Sequence, residues 1–243
     1  MQQSLFTVKT NDPLSRGVYR MTLAGDTSAI ARPGQFVNIQ IPGKFLRRPI
    51  SVCDCAPGLL TLIYKVVGGG TAELSAARPG GTLDLLTGLG NGYDTAKSGD
   101  RPLLIGGGVG VPPLYWLCRV LRAQGREVSV ILGFNTAAEV FYEEAFSALG
   151  AQVTVTTVDG SYGRKGFAAD AMAALDYTCF YACGPLPMLR AVEQAARTTG
   201  QYSFEERMGC GFGACMGCSC QTKNGPVRIC REGPVLDREV VVW

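Results

Sequence analysis

Residues 102–125 read PLLIGGGVGVPPLYWLCRVLRAQG: an apolar run, a glycine cluster, two prolines and then a helical period. Strand, glycine turn and helix in immediate succession open a parallel α/β unit. Gly106, Gly107, Gly108 and Gly110 leave the backbone bare where a pyrophosphate would approach, and the start of the following helix offers it partial positive charge. The same turn can also serve close packing alone.

The pattern continues downstream. EVSVILGFN (127–135), QVTVTTVDG (152–160) and TCFYACGPLPMLRAVEQAARTTG (178–200) alternate strand-like apolar runs with helical periods. Upstream the texture differs. QSLFTVKTN, GVYRMTLAG, GQFVNIQIP, RPISVCDC, LLTLIYKVVG and GTLDLLTGLG are short runs punctuated by Gly and Pro, the signature of an antiparallel β-barrel. KSGD at 97–100 reads as the linker between the two. The expected architecture is multidomain β plus α/β: a barrel over 1–97, a parallel α/β domain over 98–201 and a small cysteine-bearing domain over 202–243. The last has little apolar periodicity and is too short to hold a core unaided, so a metal staple makes physical sense there.

Composition narrows the chemistry. The 243 residues are 47% hydrophobic, enough for real cores, and carry a net charge of +3 with both signs interleaved. No basic block neutralises phosphates in a row, so nucleic acid is not an expected partner. The N-terminus, MQQSLFTVKT, has neither a charged n-region nor an apolar h-region, and no apolar run is long enough to span a bilayer. A cytoplasmic protein with no membrane partner is expected. There is no histidine, which excludes histidine acid–base catalysis and histidine metal ligands. The chemistry must come from a cofactor.

Five of the ten cysteines fall at the end, in MGCGFGACMGCSC and VRICREG. Cys210, Cys215 and Cys218 give C-x4-C-x2-C, and Cys230 follows after eleven residues; this is the plant-type [2Fe-2S] spacing. Gly211, Gly213 and Gly217 let the backbone wrap a cluster and aim N–H groups at its sulfurs. Two alternatives stay open. Cys220 competes with Cys230 as fourth ligand, although two residues from Cys218 is a poor spacing for a rigid cluster loop, and four thiolates can hold zinc.

RRPISV (47–52) and IYKVVGGGT (63–71) resemble the flavin-binding signature of the ferredoxin-NADP reductase superfamily. With GGGVGVPP, DGSYGRKG, YACGPLPML and the terminal cysteine motif, the resemblance runs along the whole chain. Within that superfamily it is nearest the electron-transfer subunits of bacterial NAD-dependent dihydroorotate dehydrogenases. The resemblance implies FAD, a [2Fe-2S] cluster and NAD as cofactors. Arg48, Pro49, Ile50 and Ser51 would bind FAD, with Arg48 at the pyrophosphate and Ser51 near flavin N5; many superfamily members have tyrosine where Ile50 stands. Ile63, Tyr64 and Lys65 would run along the isoalloxazine, and Gly70 and Thr71 would hold phosphate; an ordinary barrel-strand aromatic is the rival reading of Tyr64. Cys183, Gly184 and Pro185 would lie beside the nicotinamide, and Cys183 joins Ser51 as a candidate for the hydride-transfer position. A buried thiol explains Cys183 nearly as well.

Asp159, in TTVDG, would accept a ribose hydroxyl and repel a 2′-phosphate, which favours NAD over NADP. The neighbouring Arg164 and Lys165 pull the other way. The implied partner is an FMN-containing dihydroorotate dehydrogenase catalytic subunit in a heterotetramer, and Phe212 and Met216 in the cluster loop are candidates for its docking surface. An oxidoreductase subunit of another complex, of sulfide dehydrogenase, hydrogenase or transhydrogenase type, and a zinc-stapled interaction module are the competing readings.

Overall fold

The computed structural model describes residues 1–243. The short apolar runs of the first part become strands, with burial alternating most cleanly along Thr82–Leu89, as along a strand with one face in a core. They form β1 (Gln2–Ser15), β2 (Val18–Ala24), β3 (Phe36–Ile39), β4 (Arg48–Ala56), β5 (Leu59–Lys65) and β6 (Thr82–Leu89). These close into an antiparallel barrel in the order β1-β2-β5-β4-β3-β6. Closure leaves no open edge. Phe6, Met21, Leu23, Val37, Leu60 and Leu85 fill its interior. One helix, α1 (Gly69–Ser75), follows β5.

The second part is a seven-stranded sheet. Its strands are β7 (Pro102–Gly107), β8 (Ser129–Phe134), β9 (Gln152–Thr157), β10 (Arg164–Lys165), β11 (Cys179–Cys183), β12 (Gly200–Ser203) and, after the two-stranded hairpin β13 (Ser219–Thr222) and β14 (Gly225–Arg228), β15 (Val235–Asp237). Helices α2 (Pro112–Ala123), α3 (Glu143–Ala148), α4 (Ala168–Ala171) and α5 (Leu186–Ala195) connect them. The strand order is β10-β9-β8-β7-β11-β12-β15, parallel from β10 to β12, with β15 antiparallel at the edge. The chain runs outward from β7 to β10 and then returns to place β11 on the other side of β7. That reversal makes a crevice at the carboxyl ends of the central strands. The expected barrel and parallel α/β architecture is borne out.

The cysteine segment has no core of its own. Cys218, Ile229 and Cys230 bury against the same apolar layer as Phe180, Tyr202 and Leu236 of the sheet and Phe36 and Leu89 of the barrel. The sheet extends to Ser203, and β15 returns from the cysteine segment to close its edge. Polar contacts from the barrel fix the segment at both ends. Asn38 Nδ2 donates to the Cys210 carbonyl at 3.2 Å, and Asn91 donates from Nδ2 to the carbonyls of Glu232 (2.9 Å) and Val235 (2.7 Å). No helix is long and apolar enough to cross a membrane.

Candidate functional site

At the carboxyl ends of β7, β8 and β9 lies a cavity of about 580 Å3, lined among others by Gly107, Gly108, Phe134, Thr156, Pro185 and Met188. Sheet topology dictates this place, because side chains from successive strand ends meet there with no strand above them. Three charged residues face it. Lys65 comes from the end of barrel strand β5, Glu139 from the loop after β8, and Glu205 from the start of the cysteine segment, so all three parts of the chain border one cavity. Glu139 accepts from the Asn135 backbone N–H (3.2 Å) and from Asn135 Nδ2 (2.9 Å), which fixes its carboxylate on the wall.

The four turn glycines divide by role. Gly107 and Gly108 line the cavity, whereas Gly106 and Gly110 do not. A Cβ at Gly106 would lie 2.8 Å from Val111 Cγ2 at the start of α2, and one at Gly110 would lie 2.2 Å from the Cys183 carbonyl oxygen. The outer pair therefore lets β7's turn lie directly on its own helix and on the end of β11. The packing reading holds at Gly106 and Gly110, and Gly107 and Gly108 are the pair left facing the cavity.

Pro185 lines the cavity, while the Cys183 side chain turns inward, 1% exposed, into the layer between sheet and barrel. Desolvation pushes its thiol far above the usual range, and the Tyr93 phenol stands beside it. Cys183 is thus a neutral buried thiol, and Gly184 and its carbonyl carry the contact with the glycine turn. Asp159 is exposed next to cavity-lining Val158 and is tied to its own loop, accepting from Ser161 N (2.9 Å) and Oγ (2.6 Å). Arg164 and Lys165 form edge strand β10 and do not line the cavity. Glu139, which sequence reasoning passed over, is the carboxylate nearest the second strand's end. Its signal was there: an acid shortly after an apolar strand whose end carries no arginine or lysine.

On the barrel, Arg48, Pro49, Ile50 and Ser51 are all half-buried on β4. Ile50 packs against the barrel core, and alternation along the strand turns Ser51 to the outer face. Tyr64 also points inward. It is 2% exposed, its hydroxyl donates to Asn11 Oδ1 at 2.8 Å, and its ring stacks on Tyr19 at 5.9 Å. Strand β5 therefore offers a ligand only the backbone of Tyr64, while Ile63 packs toward the α/β domain and Lys65 reaches the cavity. Arg48 lies across the start of α1, where a Cβ at Gly70 would come within 2.2 Å of its Nε. Glycine at 70 is what lets a guanidinium and a helix start converge. Thr71 serves the same loop, its Oγ1 accepting from Val67 N (2.9 Å) and Gly68 N (3.2 Å). An arginine and a glycine-lined helix start fit a phosphate-bearing flavin nucleotide.

The cysteines stand as two adjacent pairs. Cys210 Sγ accepts from Ala214 N (3.2 Å) and Cys215 N (3.4 Å), and Cys215 Sγ from Cys210 N (3.4 Å). Cys218 Sγ accepts from Cys230 N at 3.4 Å. No set of three or more thiols is drawn to metal-bonding distance of a common point. Cys220 stands apart, paired across the hairpin with Val227. Positive φ at Gly211 (77°) and Gly213 (94°) folds the loop over the first pair. Desolvation opposes ionisation of Cys210, but the N–H groups of Phe212, Cys215 and Ala214 outweigh it and hold the thiol down at about 6. Burial, with Cys218 beside it, pushes Cys230 up to about 12. A thiol-only donor set with backbone N–H groups aimed at sulfur suits an iron–sulfur cluster.

Comparison with known proteins agrees with this geometry. Residues 205–242 match the iron-sulfur cluster binding domain of dihydroorotate dehydrogenase B, and residues 104–194 match an oxidoreductase NAD-binding domain. The dihydroorotate dehydrogenase B (NAD(+)) electron transfer subunit of Geobacillus sp. (strain WCH70) is 43% identical, covering 100% of this chain and 99% of the relative. Its namesake from Bacillus caldolyticus is 43% identical, covering 97% of each chain. Among solved structures, that of an NADH-dependent reduced ferredoxin-NADP oxidoreductase, described in connection with flavin-based electron bifurcation, superposes with a TM-score of 0.89 at 30% identity. That match covers 97% of this chain and 89% of the other. With barrel, a cavity at the carboxyl ends of the parallel strands and paired cysteines in one chain, and full-length identity of this order, the chain belongs to the family of dihydroorotate dehydrogenase B electron-transfer subunits.

Proposed function

We propose that this chain passes electrons between a partner's FMN, its own [2Fe-2S] cluster and FAD, and NAD(H), in the oxidation of dihydroorotate to orotate for pyrimidine synthesis. The observation that carries the reading is the convergence of all three parts on one place. Lys65 of the barrel, the glycine turn of the α/β domain and Glu205 of the cysteine segment wall one cavity, while Asn38 ties β3, the neighbour of the flavin-signature strand, to the cluster loop. A nicotinamide gives up a hydride, a cluster takes single electrons, and a flavin does both, so the flavin belongs between them.

The chain's own residues bind, orient and exclude water. Arg48 supports the flavin phosphates, Ser51 faces the reacting ring from β4, and Gly107 and Gly108 admit the dinucleotide. Glu139 on the cavity wall, with Asp159 beside cavity-lining Val158, supplies negative charge that disfavours a 2′-phosphate, which supports NAD. The division at 97/98 and 201/202 is proposed as one of function: flavin, nicotinamide and cluster. All ten cysteines are unpaired, which supports a reducing cytoplasmic setting. The names of the relatives support a catalytic partner subunit, proposed here to be the FMN-containing dihydroorotate dehydrogenase in a heterotetramer.

The test is dihydroorotate-dependent reduction of NAD by the complex captured anaerobically on this chain, with an Arg48→Ala complex beside it. We expect activity in the first and loss of most FAD in the second. An inactive complex whose chromophores are still bleached by NADH would move the pathway to that of another oxidoreductase complex, such as the NADH-dependent reduced ferredoxin-NADP oxidoreductase of the solved structure. FAD retained in full by Arg48→Ala would remove Arg48 from the site.

Phe212 and Met216, 41% and 54% exposed, stand on the cluster loop beside Cys210 and Cys215 and are proposed to meet the partner. Serine at both positions is expected to weaken association about tenfold or more while leaving NADH bleaching of the FAD intact, as read by titration of the two subunits. Unchanged association would turn these side chains into incidental surface.

A further inference from the structure

The two cofactor sites proposed above sit on different domains, yet one helix and one strand carry both. Strand β4 holds Arg48–Ser51 in its first half, and α2 begins at the glycine turn. The two elements meet through their other ends. Trp116 of α2 is 8% exposed and packs with the barrel core, and Val120 lies against the same layer. Beyond them, Arg119 donates to Asp54 Oδ1 from Nε (3.1 Å) and from Nη2 (2.6 Å), and Nη2 donates again to the Cys55 carbonyl at 2.8 Å.

Asp54 is held ready for this contact. The β4–β5 pairing slips between Val52 and Asp54, an irregularity of the kind that re-aims a side chain. The same Oδ1 also accepts from the Cys55 N–H at 3.0 Å, which fixes the carboxylate.

We propose that the Asp54–Arg119 pair is a positioning device, setting the distance between the nicotinamide site and the flavin site. From Asp54 back to Ser51 is ~10 Å of strand. From Arg119 back to the start of α2 is ~10 Å of helix. Both arms are rigid, so a small slide at the contact is carried to the reacting atoms. Stability does not explain the pair. Its side chains are 41% and 30% exposed, where ion pairs add little, and the Trp116 contact holds the domains together without it. Hydride transfer responds to displacements too small to unseat either ligand. The inference rests on the proposed function, because it assumes flavin on β4 and nicotinamide at the turn.

The test uses the complex with its partner subunit carrying Arg119→Met, Asp54→Asn, or both. FAD per chain, melting temperature and the long-wavelength charge-transfer absorbance formed with NADH are measured beside the single-turnover bleaching rate. We expect full FAD, melting within about 4 °C of the parent, and NADH binding within about threefold, with a weaker charge-transfer band. Bleaching at saturating NADH is expected to fall ~10-fold or more in each single variant, with no further fall in the double. A rate within twofold of the parent overturns the inference, as does multiplication of the two losses or loss of FAD from the variants. Absence of FAD or of NADH binding in the parent complex would instead remove the proposed function.

Discussion

Cys230→Ser is expected to strip the purified chain of its iron–sulfur absorbance and of nearly all its iron, whereas Cys220→Ser leaves both near parent values. Sequence spacing alone left the two cysteines in competition. In the fold, Cys230 is 2% exposed and its N–H donates to Cys218 Sγ, while Cys220 sits in the β13–β14 hairpin opposite Val227. Serine at 230 puts a hard, poorly ionised oxygen where a soft thiolate is needed, and a site of four loses a ligand that nothing nearby replaces. Electron delivery to the partner should fall to background in the same variant, while NADH still bleaches the FAD, because the residues proposed for flavin and nicotinamide lie on other elements. Iron and acid-labile sulfide per chain, with the visible spectrum, decide the matter. The reverse pattern, with iron lost from Cys220→Ser and kept by Cys230→Ser, would reassign the ligand. Zinc in place of iron in the parent would overturn the cluster itself.

Gly110→Ala should be the most damaging single methyl group in the nicotinamide domain. The added carbon would lie 2.2 Å from the Cys183 carbonyl oxygen, 2.4 Å from its carbon and 2.6 Å from Gly184 N. All three are backbone atoms of the β11 end, so no side chain can swing away. The turn or the strand end must shift, at about 3 kcal/mol. For a chain of this size that lowers melting by roughly 6–12 °C. Because the same shift moves the glycine turn away from Pro185 and the cavity, NADH bleaching of the FAD should fall ~100-fold at saturation. Gly108→Ala provides the contrast. No atom lies within 4 Å of its added carbon, and only its φ of +53° resists, at about 1–2 kcal/mol. Calorimetry and stopped-flow bleaching of both variants give the comparison. Equal damage at 108 and 110 would mean that the β11 contact is not what the turn protects.

Much of this was written in the chain. Period-2 runs cut by Gly and Pro gave the barrel, and the strand–glycine–helix succession at 102–125 gave the parallel domain, because both patterns follow from local geometry. The cysteine spacing was legible for the same reason. A cluster needs its ligands on one tight loop, so the loop's sequence carries them. Charge, the absence of histidine and the lack of an apolar span excluded whole classes of chemistry before any fold was known.

Direction and proximity were decided elsewhere. Tyr64 and Ile50 belong to the flavin signature by sequence, and barrel closure turns both side chains into the core. Cys183 stands in a nicotinamide motif, and sheet packing buries its thiol away from the cavity. Glu139 follows an apolar strand in the sequence, and strand order is what brings it to the crevice. The pairing of Cys230 with Cys218 and the meeting of Asp54 with Arg119 likewise join residues whose separation in sequence says nothing of their contact. The sequence by itself determined which elements form and which cofactors they suit, because helix period, strand alternation and ligand spacing are local. Which side chain reaches the site was settled by the tertiary structure, because that depends on how the barrel closes, which way the sheet reverses and what α2 packs against.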